Sequence, residues 1–189
     1  MIKKCFCDLE TSGLDPKKNG IIELAMIFEV EHLIKEFTLK MNLFPKDEIK
    51  EEALKINKTS REEIFKQMTP KKAYEKIIQE LSKYVDKYNK KDKFFFIGYN
   101  APFDMNFLRE FFLKNGDNYF GSFFFYPPLD VMSLSAFYLM EERSQMKNFK
   151  LMTVASTLEF DVKREKLHGA LYDIQITKQI FSKIMEGIA

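Results

Sequence analysis

The amino-acid sequence predicts an α/β fold in which helices cover a β-sheet of mixed strand direction. Candidate strands gather in the first quarter of the chain, and candidate helices dominate the rest. One further strand, at residues 94–98, has the sequence FFFIG and is apolar on both faces, which is typical of a strand buried between two layers. Early strands, late helices and a buried strand between helices together indicate a layered α/β architecture.

Length and composition favour one folded domain, residues 1–189. Of these residues 46% are hydrophobic and 20 are Phe, which excludes a disordered chain. No apolar run approaches the ~20 residues of a membrane-spanning helix, so we expect a cytoplasmic protein. The 30 basic and 28 acidic residues nearly cancel, which excludes a protein that holds long nucleic acid by charge alone. The binding of a short end of a nucleic acid is compatible with this charge balance.

The predicted elements follow one another along the chain. Turn signals at Gly13 and Asp15-Pro16 separate the first two strands. Thr69-Pro70 combines a good helix cap with proline at the first helical position. Strands are expected at residues 2–7, 21–30, 33–43 and 94–98, two or three helices within 47–88, and further helices at 101–114, 133–143, 150–159 and 169–187.

The two cysteines lie in the first predicted strand. Cys5 and Cys7 are two residues apart, too close for an ordinary disulfide, and we interpret them as core thiols. A metal pair is the weaker alternative, because zinc sites usually need C-x-x-C spacing and two further ligands. The sequence also lacks the glycine motifs that bind nucleotide phosphates, so nothing indicates a nucleotide cofactor.

Asp8 and Glu10 form the first candidate site. Residues two apart on a strand share a face, so both carboxylates point the same way where the strand gives way to the Thr11-Ser12-Gly13 turn. Two carboxylates held together repel each other unless a cation or a proton lies between them. The alternative is a solvated strand end, since one D-x-E is expected by chance in a chain of this composition.

Asp104 is the second candidate. In the predicted helix it lies on the same stripe as Phe107, Leu108 and Phe111, which places a carboxylate toward the core. Burying a charge without a partner is costly. Asp104 is therefore either a local cap of the helix start or a ligand of something positive. The preceding turn at residues 98–101 places it near the carboxyl end of a strand, where α/β sites usually form.

His168 and Asp173 are the third candidate. The spacing H-x-x-x-x-D is rarer than the D-x-E pair, because the chain has only two His. Gly169 predicts a mobile hinge next to the histidine, and Asp173 falls in the first turns of the last helix. A surface or capping histidine is the alternative.

In chain order these segments resemble the three motifs of the DEDDh, or DnaQ-like, family of 3′-to-5′ exonucleases. The motif segments are CDLETSGL (7–14), GYNAPFDMNFL (98–108) and HGALYDIQIT (168–177). The likeness also includes IIELA (21–25), EALKINKTS (52–60), PLDVMSL (128–134) and KLMTVA (150–155), and so covers about residues 2–185.

The resemblance implies a ribonuclease H-like fold, with a five-stranded mixed sheet flanked by helices on both faces. It implies two divalent ions, Mg²⁺ or Mn²⁺, and a histidine that takes the proton from the attacking water. The implied catalytic residues are Asp8, Glu10, Asp104, Asp173 and His168, of which the four acids are the metal ligands. The implied substrate-binding residues are Thr11, Leu14, Asn100 and Phe103. Asp130 is interpreted as an acid that either supports the metal ligands or has a structural role.

The implied activity is removal of nucleoside 5′-monophosphates from the 3′ end of single-stranded nucleic acid, with DNA favoured over RNA. The expected partners are single-stranded 3′ ends and a polymerase or other replication or repair protein bound by surface contact. The alternatives are an RNA-end trimming enzyme, a non-catalytic nucleic-acid binding module on the same fold, and a metal-dependent phosphatase acting on nucleotides. The sequence departs from the family at Lys58 and Glu159, where glycine is frequent, and at Tyr99, where histidine is frequent.

Overall fold

The computed structural model describes residues 2–163 and 169–188, and these form a five-stranded sheet with helices on both faces. The strand order is β3-β2-β1-β4-β5; β2 is antiparallel to β1 and β3, whereas β4 is parallel to β1 and β5. The sheet is therefore mixed, as the resemblance implies. The strands are β1 (Lys3–Thr11), β2 (Ile21–Val30), β3 (Leu33–Lys40), β4 (Phe94–Gly98) and β5 (Leu129–Asp130).

Seven α-helices lie in the described part of the chain. Three short ones connect β3 to β4, and this confirms the prediction of two or three helices there. They are α1 (Glu51–Ile56), α2 (Arg61–Phe65) and α3 (Pro70–Leu81), followed by α4 (Ala101–Lys114), α5 (Val131–Tyr138), α6 (Leu151–Thr157) and α7 (Ala170–Ile188).

The alternation along β1 divides the core into two layers. Cys5 and Cys7 point into a phenylalanine-rich layer that α3 and α4 complete, and both are free, buried thiols as predicted. Phe6 points to the opposite face, where it meets Phe181 of α7 in an edge-to-face contact. Because side chains alternate along a strand, Asp8 and Glu10 share the face of Phe6 and point toward α7.

Several element boundaries differ from prediction for identifiable reasons. β1 continues to Thr11 because its second half still pairs with β2. The helix expected from residue 133 begins at Val131, because the Asp130 carboxylate accepts hydrogen bonds from the first free amides of the helix. It ends at Tyr138, and a separate short 3-10 turn follows at Glu142–Gln145.

The two departures from the family's glycines have a backbone explanation. Lys58 and Glu159 have φ angles of 50° and 64°, in the left-handed region that glycine adopts without strain. Each follows the end of a short helix, where a left-handed residue commonly stops the helix. At both places a residue with a side chain therefore adopts a backbone conformation that glycine would adopt without strain.

Candidate active site

Three acids from distant parts of the chain meet at the carboxyl end of β1. Asp8 and Glu10 come from the strand, and Asp173 comes from the first turn of α7. One carboxylate oxygen from each lies within 4.8 Å of the other two, and all three residues are partly buried. The structure thus brings together the two ends of the chain that the sequence singled out.

Asp104 reaches the same strand from the opposite layer. It lies in the first turn of α4, is 3% exposed, and its Oδ1 accepts a hydrogen bond of 3.1 Å from the backbone amide of Leu9. The pairing of β1 with β4 ends at Phe6 and Ile97, so this carboxylate meets β1 beyond the last paired residues. The prediction that Asp104 faces the core is confirmed. The Asp104 carboxylate is therefore held against Leu9, which lies between Asp8 and Glu10 on β1.

A glycine permits the close approach of α4 to β1. A Cβ on residue 98 would lie 2.9 Å from the carbonyl oxygen of Cys7 and 3.3 Å from the Cα of Ala101. Gly98 therefore lets the turn from β4 into α4 lie directly against β1. Asn100 begins α4 with a left-handed φ of 63° and makes no capping hydrogen bond with its side chain. It shapes the helix start through its backbone.

The acids raise one another's pKa values. Burial, and then the charges of Asp104, Glu10 and Asp173, hold the pKa of Asp8 well above its usual range. Burial, and then Asp173 and Glu23, raise the pKa of Glu10 to about 7. The pKa of Asp104 is also raised by burial, against the lowering effect of its hydrogen bond from Leu9. Without a cation, the assembled site disfavours the ionised carboxylates.

Glu23 is a further acid beside the site that sequence reasoning missed. It lies directly opposite Glu10 in the register of β1 and β2, and directly opposed residues on antiparallel strands share a face. Its carboxylate also lies 3.5 Å from Lys40 of β3. The IIELA segment contained the residue, but only the strand register shows that it faces Glu10.

A groove of about 560 Å³ opens next to the acids. Its apolar lining includes Leu14 and Phe103, which the sequence proposed as substrate-binding residues, and Ile56, which it did not single out. Leu14 is 84% exposed and Ile56 is 53% exposed, so both present apolar surface to solvent. Glu10 and Thr11 belong to the groove as well, which makes it continuous with the acid cluster.

Hydrogen bonds hold the groove walls together. Asn57, just after α1, donates to the carbonyl oxygen of Thr11 at 3.0 Å, and the amide of Lys50 donates to the carbonyl of Ser12 at 2.8 Å. The Thr11 hydroxyl donates to the carbonyl of Gly13 at 2.7 Å. These contacts connect the turn after β1 to the residues that flank α1, so the fold itself holds the walls of the groove in place.

Two remaining predicted residues have different outcomes. Tyr99, at the position of a frequent histidine, donates its hydroxyl to the carbonyl of Phe149 at 2.5 Å and ties β4 to the segment before α6. His168, the predicted base, lies outside the described residues.

Comparison with known proteins identifies the fold. Residues 5–181 match the family model RNase_T, described as exonuclease. The structure of E. coli exonuclease I in complex with a dT13 oligonucleotide superposes with a TM-score of 0.75 at 16% identity, covering 98% of this chain and 41% of that one. The zinc-bound E. coli exonuclease I complex with single-stranded DNA gives 0.77 at 16% identity, covering 99% and 41%.

A third solved structure shows a 3′-exonuclease in 3′-end-specific recognition of a histone mRNA stem-loop. It superposes with a TM-score of 0.73 at 16% identity, covering 98% of this chain and 64% of that one. This chain therefore spans less than two thirds of each of these proteins. No curated protein sequence matches it. The ribonuclease H-like fold that the resemblance implied is confirmed. Among the described residues, no helix is long and apolar enough to cross a membrane.

Proposed function

The chain belongs to the RNase_T exonuclease family, and we propose that it is a metal-dependent exonuclease that removes nucleoside 5′-monophosphates from the 3′ end of single-stranded nucleic acid. One observation carries the proposal. The cluster of Asp8, Glu10 and Asp173 adjoins an apolar groove, and Glu10 belongs to both. A strand end lying in that groove would have its terminal phosphodiester beside the acids.

The acid cluster fits divalent cations. Its donors are all carboxylate oxygens, which Mg²⁺ and Mn²⁺ prefer, and three of them converge within 4.8 Å. The raised pKa values of Asp8 and Glu10, caused by burial and by the neighbouring acids, indicate negative charge that a cation would compensate. We propose that Asp8, Glu10, Asp104 and Asp173 hold two such ions. When bound, they supply charge stabilisation to the attacking and leaving oxygens of a phosphodiester displacement.

The protein's own groups would position the substrate end. Leu14 and Phe103 would contact the last bases from the groove wall, and stacking of one base on the Phe103 ring would contribute ~1–3 kcal/mol without base preference. The Thr11 hydroxyl uses its proton on the Gly13 carbonyl, so toward a terminal 3′ hydroxyl it can only accept a hydrogen bond. An end-specific contact of this kind would favour a strand with a free 3′ hydroxyl.

His168 is the proposed general base. The assignment comes from the resemblance of its segment to the family motif. An imidazole titrates near neutrality and can accept the proton of the attacking water. His168→Ala should lower the cleavage rate by ~10²–10⁴-fold and leave a residual rate that rises with pH, because hydroxide replaces the missing base. Full activity in this variant would remove His168 from the mechanism.

The direct test uses DNA and RNA oligomers of one sequence, each labelled at the 5′ end and each with a free or blocked 3′ hydroxyl. With Mg²⁺ or Mn²⁺ we expect stepwise shortening of the free strands and none of the blocked ones. The relative rates on DNA and RNA would decide the substrate. Equal degradation of blocked strands would contradict end recognition, and degradation in chelator would contradict the metal requirement.

A further inference from the structure

Asp130 connects the starts of two helices. It is the last residue of β5 and pairs with Gly98 at the end of β4. Its Oδ1 accepts hydrogen bonds from the backbone amides of Asn100 at 2.8 Å and Ala101 at 3.2 Å, and from Met132 of α5 at 3.3 Å. One carboxylate oxygen therefore binds amides at the beginnings of both α4 and α5.

Among the described residues, the other carboxylate oxygen of Asp130 accepts hydrogen bonds only from the first turn of α5. Its Oδ2 accepts from the amide of Ser133 at 3.3 Å and from the Ser133 hydroxyl at 2.5 Å. The second oxygen thus caps α5 in the ordinary way, whereas the first also reaches a different element. Capping of its own helix would not require the contacts to Asn100 and Ala101.

The start of α4 depends on hydrogen-bond acceptors that lie outside the helix. Asn100 is in the left-handed region at φ 63°, and its side chain makes no capping hydrogen bond. A strained backbone of this kind persists when the surrounding structure fixes it. The first amides of a helix also need acceptors that the helix cannot supply. Asp130 supplies an acceptor for the amides of Asn100 and Ala101, the two residues at which α4 begins.

The first turn of α4 carries Asp104. This acid lies four residues after Asn100, is 3% exposed, and is bound to the Leu9 amide between Asp8 and Glu10. A shift of the helix start would move Asp104 relative to both of those acids. The position of the turn before α4 therefore sets where Asp104 lies along β1.

We propose that Asp130 is a positioning residue for the metal-binding acids: by accepting hydrogen bonds from Asn100 and Ala101, it fixes the start of α4 and so the place of Asp104 against β1. This inference rests on the proposed function, because it concerns the same acids. In this proposal Asp130 acts through the helix start and is not itself a metal ligand. Residues that support metal ligands in this way typically change metal affinity by ~10–100-fold when they are replaced.

The test compares four variants of the full chain. Asp130→Ala removes both acceptors, whereas Asp130→Asn keeps an amide oxygen that can replace Oδ1. Ser133→Ala removes only the hydroxyl contact to Oδ2. Thr69→Ala removes the N-cap of α3, whose Oγ1 accepts from Lys72, and is the control for a lost helix cap away from the acids.

Two readouts separate positioning from mere stability. The first is Mn²⁺ affinity by calorimetry, and the second is hydrogen exchange of the Leu9 amide, which reports the bond to Asp104. Asp130→Ala should bind Mn²⁺ ~10-fold or more weakly and exchange the Leu9 amide faster than the parent. Asp130→Asn, Ser133→Ala and Thr69→Ala should remain within about 3-fold of the parent in affinity, well below the ~10-fold change expected of a lost supporting residue.

The outcomes distinguish this inference from the proposed function. If Asp130→Ala binds Mn²⁺ like the parent, or loses affinity only as Thr69→Ala does, Asp130 merely caps helices and the inference is wrong. Failure of Asp130→Asn to restore binding would also contradict it, because the proposed role belongs to an oxygen acceptor. A parent protein that binds no Mn²⁺ would overturn the proposed metal site and this inference together.

Discussion

Two groups of buried carboxylates in this chain have opposite surroundings. The Asp47 side chain is 2% exposed, and its Oδ1 lies 2.6 Å from the ammonium group of Lys114, which also donates to the carbonyl of Asn19. In the part of the chain that the structure describes, no salt bridge involves Asp8, Glu10 or Asp104, and their pKa values are raised, mainly by burial. The buried charge of Asp47 is tolerated because the ammonium group of Lys114 lies beside it.

The comparison indicates what each group is for. The buried ion pair of Asp47 and Lys114 holds the end of α4 against the segment between β3 and α1, and its role is structural. Under the proposed function, a cation from solution would instead compensate the acids Asp8, Glu10 and Asp104, whose burial disfavours their ionised form. The Asp47–Lys114 pair and the acids Asp8, Glu10 and Asp104 should therefore respond differently to mutation.

Loss of Asp8 should affect catalysis most. Asp8→Ala should lower the rate of 3′-end degradation by ~10³-fold or more, because it would remove a ligand from the proposed metal site, whose ions would supply several kcal/mol of transition-state stabilisation. In chelator, the melting temperature of Asp8→Ala should fall by less than that of Lys114→Met, which breaks the Asp47–Lys114 pair. Cleavage of a 5′-labelled strand, followed at substrate saturation, measures the first quantity. Retention of even a tenth of the parent rate would contradict the assignment.

The paired site should show the reverse pattern. Lys114→Met should lower the free energy of unfolding by about 2–4 kcal/mol, because Asp47 is left buried without its cation. The specific activity of the folded protein should stay close to that of the parent. Denaturant unfolding measures the loss, and the double variant Asp47→Leu/Lys114→Met should recover much of it. A Lys114→Met protein as stable as the parent would show that the pair is not a structural requirement.

The pH dependence of stability should differ in sign from that of an ordinary ion pair. The pKa of Glu10 is raised from 4.5 to about 7 by burial, Asp173 and Glu23, so the folded state binds more protons than the unfolded state between these values. The contribution of Glu10 is therefore fully present below about pH 4.5 and is lost as the pH rises through about 7. In chelator, Glu10→Gln should become more stable relative to the parent across this interval. If the difference in unfolding free energy between Glu10→Gln and the parent stayed constant with pH, it would contradict the raised pKa of Glu10.

A smaller effect separates charge from backbone strain near the same acids. Lys58 lines a cleft together with Glu10 and Glu23, and its φ is 50°. Lys58→Gly should raise the free energy of unfolding by about 0.5–1 kcal/mol, since relief of left-handed strain exceeds the added entropy of the unfolded chain. The control Lys55→Gly, within α1, should lower it by a similar amount. If Lys58→Gly is less stable than the parent, the positive charge of Lys58 compensates the acids after all.

The sequence predicted the α/β class from local pattern, whereas the five-stranded sheet and the full set of acids were implied by the resemblance to the family motifs. Alternation and helical spacing are local properties, and the position of Asp104 on an apolar stripe was enough to indicate its burial. Glu23 required the register of two strands, and the pairing of Asp47 with Lys114 required the packing of residues far apart in the chain. The bridge from Asp130 to the start of α4 is likewise a tertiary contact, which spacing along the chain cannot show.

The acids of β1, α4 and α7 should behave as one charged cluster that a divalent cation completes. The decisive measurement is the unfolding free energy of the parent and of Asp8→Asn, each in chelator and with Mn²⁺ at 100 times its dissociation constant. The parent should gain ~2.7 kcal/mol from the ion. Asp8→Asn should be more stable than the parent in chelator, because one repelling charge is gone, and should gain less from Mn²⁺. A variant that is less stable in chelator, yet gains as much from Mn²⁺, would show that these acids do not form one cluster.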